Sequence, residues 1–229
     1  MRRIAIEKTI CMLGRFDEYC TIDNAPNTKR QFPGQPSEQL AQTPGGPRLL
    51  LSFVDDDYIY LIQPDRIELK KRYKAQEMPI SEQLVQKFLE RFSAFIEKGE
   101  HLAVRSVEAL PDEKSQKLNK MAGQLLGAVE KGSWNNLSMT LNNCLLIEGL
   151  GIRVNKNIQI SNGLLQATTP DAHTTILPSV IISTDTNTLP EDKGKIAGQK
   201  REDIFACLIK EDRDSFSRVS ALFEKENEN

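Results

Sequence analysis

Apolar and polar positions divide this chain into short alternating runs and three longer helical stripes. Near the start, Ile4, Ile6, Ile10 and Met12 stand against Arg3, Glu7 and Thr9, which predicts a strand over Ile4–Leu13. Leu49–Val54, Tyr58–Ile62 and Arg66–Tyr73 are β-favouring runs separated by Asp55-Asp56-Asp57 and Pro64-Asp65. Turn residues at those intervals predict an antiparallel meander. In its third run Ile67, Leu69 and Tyr73 share one face, while Arg66, Glu68, Lys70 and Arg72 line the other. The period then changes. Leu84, Val85, Phe88, Leu89, Phe92, Phe95 and Ile96 recur at helical spacing, with Ser81 as N-cap and Gly99 as the stop. Such a phenylalanine stripe is core material. Leu102–Ala109 follows as a strand.

The second half reads as a looser version of the same plan. A helix is predicted from Asp112 to Lys131, on Leu118, Met121, Ala122, Leu125, Leu126 and Val129, with Gly132 as its stop. Strands are expected over Ser138–Ile147, Gly151–Ile160, Leu164–Thr168 and Ile176–Thr184, with Asn155–Asn157 and Ser161-Asn162-Gly163 supplying turns. Asp185–Gly198 is polar enough to be a connection. A terminal helix from about Arg201 carries Ile204, Phe205, Leu208, Ile209, Phe216, Val219, Leu222 and Phe223. The expected fold class is α+β: two antiparallel-sheet-plus-helix units, 1–110 and 111–229, fused in one body with the character of an internal duplication.

Between Asn24 and Pro47 the pattern breaks. Pro26, Pro33, Pro36, Pro44 and Pro47 join Gly34, Gly45 and Gly46 among polar residues, so 24–47 is expected to be a long mobile loop with too little apolar surface to order itself.

Composition narrows the function. Lys and Arg number 30 against 32 Asp and Glu, a net charge of −2 over 229 residues, which speaks against a dedicated nucleic-acid binder. No apolar run reaches the roughly 18 residues of a membrane span. Glu7 and Lys8 cut short the apolar stretch that an export signal would need. Cys11, Cys20, Cys144 and Cys207 lie far apart without a Cys-x-x-Cys pair, so a cytoplasmic protein without disulfides or structural zinc is expected.

Catalytic motifs are sparse. His101 and His173 have no nucleophile elbow beside them, and neither a phosphate-binding loop nor a dinucleotide fingerprint is present. No cofactor is expected. One enzymatic alternative is a metal-dependent nuclease in which Asp57 and Glu68 hold Mg²⁺ and Lys70 orients a water. Another alternative is nucleic-acid sensing through the run Lys70-Lys71-Arg72-Tyr73-Lys74.

The stretch Leu49–Ala109, with Pro64-Asp65-Arg66-Ile67-Glu68-Leu69, the Phe-rich helix and Ala103-Val104-Arg105-Ser106-Val107, resembles a sporadically distributed prokaryotic family of internally duplicated α+β proteins. Ile181–Asn187 and the final helix with Phe216 and Phe223 extend the likeness. The resemblance implies an accessory role near toxin or phage-defence genes and no agreed catalytic residues. The expected function is therefore a non-enzymatic interaction subunit for another protein, or for a second copy of the chain. Phe32, Tyr58, Tyr60, Arg66 and Arg72 are the expected contact residues, since Tyr and Arg dominate interface hot spots.

Overall fold

Each strand that alternation predicts in the first half takes its place in a single sheet. The computed structural model describes residues 3–32, 34, 36–74, 77, 81–111, 118–119, 138–168, 174–197 and 200–224. Its strands are β1 (Ile4–Gly14), β2 (Ser37–Thr43), β3 (Gly46–Asp55), β4 (Tyr58–Gln63), β5 (Arg66–Arg72), β6 (Gly99–Pro111), β7 (Ser138–Ile147), β8 (Ile152–Thr168) and β9 (Thr174–Thr188). The helices are α1 (Ala25–Lys29), α2 (Ser81–Arg91), α3 (Lys193–Ala197) and α4 (Arg201–Glu224).

The two-unit α+β expectation is corrected. All nine strands form one sheet, in the order β2-β3-β4-β5-β1-β6-β9-β8-β7, and every neighbouring pair is antiparallel. The reason is the seam between the two expected units. β6 at the end of the first bonds to β9 of the second, Ala109 opposite Ile181, so the strands of both halves run on in one hydrogen-bonded ladder. Periodicity reports which face a residue occupies, not which distant strand it pairs with.

Side-chain rows crossing the sheet show where the core sits. Phe53, Tyr60, Leu69, Ile10 and Val104 lie side by side across five strands, all buried. Phe88 of α2, Phe92 and Phe95 just after it, and Phe205 of α4 close over that row from the helix side. A second cluster gathers Leu110, Ile160, Val180 and Ile182 under Phe216, Val219 and Phe223 of α4. Burying each such side chain contributes on the order of 1.5–3 kcal/mol.

A polar row runs between the clusters. Lys8, Ser106 and Thr184 are cross-strand neighbours, and all three point at Asp212 of α4. Lys8 Nζ lies 3.2 Å from its carboxylate and Ser106 Oγ donates at 2.6 Å, and Thr184 donates to the other oxygen. Asp212 is 2% exposed. A carboxylate so enclosed is tolerable only because a cation and two hydroxyls satisfy it.

Four further expectations change. The loop 24–47 contains α1, a buried Phe32 and the edge strand β2, whose β2–β3 hairpin turns at Pro44-Gly45. The long helix expected to reach Gly99 ends at Arg91 and continues as a 3-10 segment, Ser93–Lys98. Asn155–Asn157 and Ser161–Gly163 are not turns but stand inside β8, paired with β9 from Val154 to Thr168. At Gly163 a Cβ would come within 2.6 Å of Ile181 Cγ1, so this glycine serves a close strand contact. The polar connection expected over Asp185–Gly198 begins as the last residues of β9 and then forms α3. The helix predicted over Asp112–Lys131 lies largely outside the described residues, within which Leu118 and Asn119 are helical. His173 and Gly132 also lie outside them.

The link into α3 supplies a pH-sensitive clasp. Asp192, 1% exposed, accepts the Arg153 main-chain N–H at 2.6 Å and its guanidinium Nε at 3.2 Å. Lys195 Nζ lies 3.1 Å away. The Arg153 side chain, then its main-chain N–H, hold the Asp192 carboxyl well below the usual carboxylate range, against the opposing effect of burial. A carboxyl depressed on folding adds stability above its unfolded pKa, near 3.9, and loses it as pH falls further. The expected result is a urea midpoint for the native chain that drops below about pH 4, with a shallower drop in Asp192→Asn. Equal acid slopes for the two chains would refute the clasp.

A candidate partner-binding face

Helices cover one side of the sheet, and among the described residues none covers the other. Period-two alternation places there Glu7, Thr9 and Cys11 of β1, Arg66, Glu68, Lys70 and Arg72 of β5, and Arg105 and Val107 of β6. Asp185 and Asn187 of β9, Asn155, Asn157 and Gln159 of β8, and Thr140 and Asn142 of β7 extend the same face. Ile59 and Leu61 of β4 and Leu50 and Val54 of β3 complete it on the far side.

The centre of this face is a network of paired charges. Arg66 Nε lies 3.1 Å from Glu68. Lys70 Nζ lies 3.2 Å from Glu7, whose other oxygen faces Arg72 at 3.8 Å. Arg105 Nε meets Asp185 at 3.4 Å across β6 and β9. Glu7, Glu68, Lys70, Arg105 and Asp185 line a concavity of about 330 Å³ with Asn157, Gln159 and Thr140 on its far wall. Below them Cys11 is fully buried, its Sγ 3.9 Å from Glu68 Oε1. Burial, and then the Glu68 carboxylate, push the Cys11 thiol up to about 12, so it stays protonated at neutral pH.

Two flanks frame that centre. Asn155, Asn157, Gln159 and Asn142 present amides, which both donate and accept hydrogen bonds. Leu50, Val54, Ile59 and Leu61 form an aliphatic shoulder on which Val54 is 63% exposed.

The residues expected from sequence divide sharply. Arg66 and Arg72 stand on this open face. Tyr60 and Phe32 do not: both lie in the core, Phe32 stacked on Phe53 with ring centroids 4.8 Å apart. Tyr58 is half-buried on the helix side, with Lys87 Nζ 3.7 Å and Lys71 Nζ 4.8 Å from its ring centroid. Aromatic residues on alternating strands carry no label for their face until pairing is known. The aliphatic shoulder and the amide flank are what sequence reasoning missed. The signal for the amides was the alternation of Ile152, Val154, Ile158 and Ile160 with Asn155, Asn157 and Gln159 in β8, whereas β3 and β4 are apolar on both faces and mark neither as the buried one.

The nuclease constellation is not assembled. Asp57 sits in the β3–β4 turn, bound to Lys74 at 3.1 Å, and its carbonyl accepts the Arg72 N–H. Arg72 is four positions along β5 from Glu68, on the order of 13 Å at strand spacing. Among the described residues no three His, Cys, Asp or Glu side chains converge as metal ligands. The basic run is neutralised as well: Lys71 pairs with Glu77 at 2.6 Å, Lys74 with Asp57, and Lys70 and Arg72 with Glu7. A cleft of about 760 Å³ lies between α2 and α4, where Val85, Leu89 and Ile209 are rimmed by Glu82, Glu90 and Glu202. It is apolar inside and brings no reactive groups together.

No protein-family model matches this sequence, and no curated protein matches it. Among the described residues no helix is long and apolar enough to cross a membrane.

Proposed function

We propose that this protein is a non-enzymatic interaction subunit that receives another protein on the open face of its sheet. One observation carries the reading: among the described residues, the face without helix cover joins an aliphatic shoulder, on which Val54 is exposed, to a row of already paired charges and a bank of amides. Protein interfaces combine apolar contact with a polar, hydrogen-bonding surround in this way. Paired charges add little desolvation cost because their partners travel with them, whereas a catalytic centre needs a group poised to react. Here the thiol at the centre of the face, Cys11, is held protonated.

The test is site-specific photo-crosslinking in the native host, with the reactive residue at Arg72 or Gln159 on the open face and at Glu90 on the helix side. The expected result is one protein captured from both open-face positions and not from Glu90. Val54→Arg, which leaves the core untouched because Val54 is exposed, should abolish its co-purification. Capture from Glu90 alone, or a complex indifferent to Val54→Arg, refutes the assignment.

A further inference from the structure

We propose that two copies of this chain associate through β7, extending one sheet into the other across a two-fold axis at Asn143. β7 is the last strand in the sheet order, and among the described residues no strand pairs with its outer side. It is ten residues long, Ser138–Ile147, and contains no charged residue, proline or glycine. Natural sheets blunt their edges with charge, proline, bulges or shortness. The opposite edge obeys that rule: β2 has seven residues, and its Glu38 is tied to Lys29 at 2.6 Å. β7 uses none of these devices.

Apolar surface is concentrated at the same edge. Leu141 is 47% exposed, Leu146 56% and Leu222 of α4 53%. A groove of about 320 Å³ opens beside β7 on the helix side, between Leu141, Ile158, Val219 and Leu222. A neighbour added to β7 would run along its rim.

The pattern of β7 selects an identical strand as that neighbour. Met139 and Ile147 pack toward the two core clusters, so odd-numbered positions face the helices and even-numbered positions the open side. An antiparallel pairing centred on Asn143 sets Leu141 opposite the second copy's Leu145, and Met139 opposite its Ile147. On the open side it sets Asn142 opposite Cys144 and Thr140 opposite Leu146. On the helix side apolar meets apolar on either half of the contact, with Asn143 facing its own copy at the axis, and no charged residue of β7 is brought against another. Such a contact is isologous and closes at two copies. It leaves β1, β5 and β6, and the paired charges between them, open to another partner.

The test uses the full chain. Sedimentation should give a concentration-dependent dimer. Leu141→Lys combined with Leu146→Lys, both at exposed positions, should weaken the dimer more than about tenfold with unchanged circular dichroism. In a Cys144→Ser background, Asn143→Cys should form a covalent dimer on mild oxidation. Facing residues in an antiparallel pair are roughly 4.5–5.5 Å apart at Cα, within reach of a disulfide. Gln39→Cys on the other edge, in the same background, should not. A native chain that stays monomeric at every concentration overturns the proposal, and so does a β7 edge that takes up only a different protein. A dimer unmoved by the lysines, or cross-linked through Gln39→Cys and not Asn143→Cys, overturns it too.

Discussion

Asp212→Ala should destabilise the fold by about 3–5 kcal/mol, the cost of leaving a buried charge without its partner. Lys8, 6% exposed, would lose the counter-charge it holds at 3.2 Å. The Ser106 and Thr184 hydroxyls would lose their acceptor in the same step. Each buried polar group so orphaned costs a further ~1–3 kcal/mol. The effect should be visible as a fall in the urea midpoint. A double variant, Lys8→Met with Asp212→Leu, should be more stable than Asp212→Ala alone, because apolar replacement of a buried pair removes the desolvation cost of both charges. If the single substitution costs less than about 1 kcal/mol, α4 is not held to the sheet through this carboxylate.

Phe32→Ala is the second large effect, with an expected loss of about 3–5 kcal/mol. Its ring is 6% exposed and touches Phe53, Tyr60, Phe92 and Phe95, with centroids between 4.8 and 6.2 Å. Phe32→Leu keeps most of the apolar area and should cost well under half as much. Limited proteolysis supplies an independent reading: cleavage between Thr21 and Ser37 should accelerate in Phe32→Ala, since this ring moors that stretch to the core. Unchanged stability and unchanged cleavage would restore the mobile loop that the composition of 24–47 suggests.

The Phe32 case shows where local reading stops. Five prolines and three glycines between Asn24 and Pro47 gave the whole segment the look of disorder, yet one aromatic in an aromatic cage is enough to moor part of it. Tyr60 failed in the opposite direction. It has the composition of a contact residue, but its place opposite Leu69 and Phe53 puts it in the core row. Asn155 to Asn157 look like turn chemistry by type, and burial of Val154 and Ile160 on the helix face overrides that preference. Arg66, Glu68, Lys70 and Arg72 were legible as one polar face, because alternation within a strand is a property of the backbone itself.

What sequence alone determined is the local grammar: strands in the first half, their two faces, the Phe-rich helix and the terminal helix from Arg201. Each follows from a period of two or of 3.6, which backbone geometry imposes on neighbouring residues. What only the tertiary structure decided is everything that joins distant residues. The β6–β9 ladder turns two apparent units into one sheet. Lys8 meets Asp212 across 204 residues and Ser106 meets it across 106. Pairing across such separations is chosen by the free energy of the whole packed core, so no window along the chain contains it. The open face inherits its character from that choice: the strands that lost their helix cover are those whose outward residues are aliphatic, ion-paired or amide.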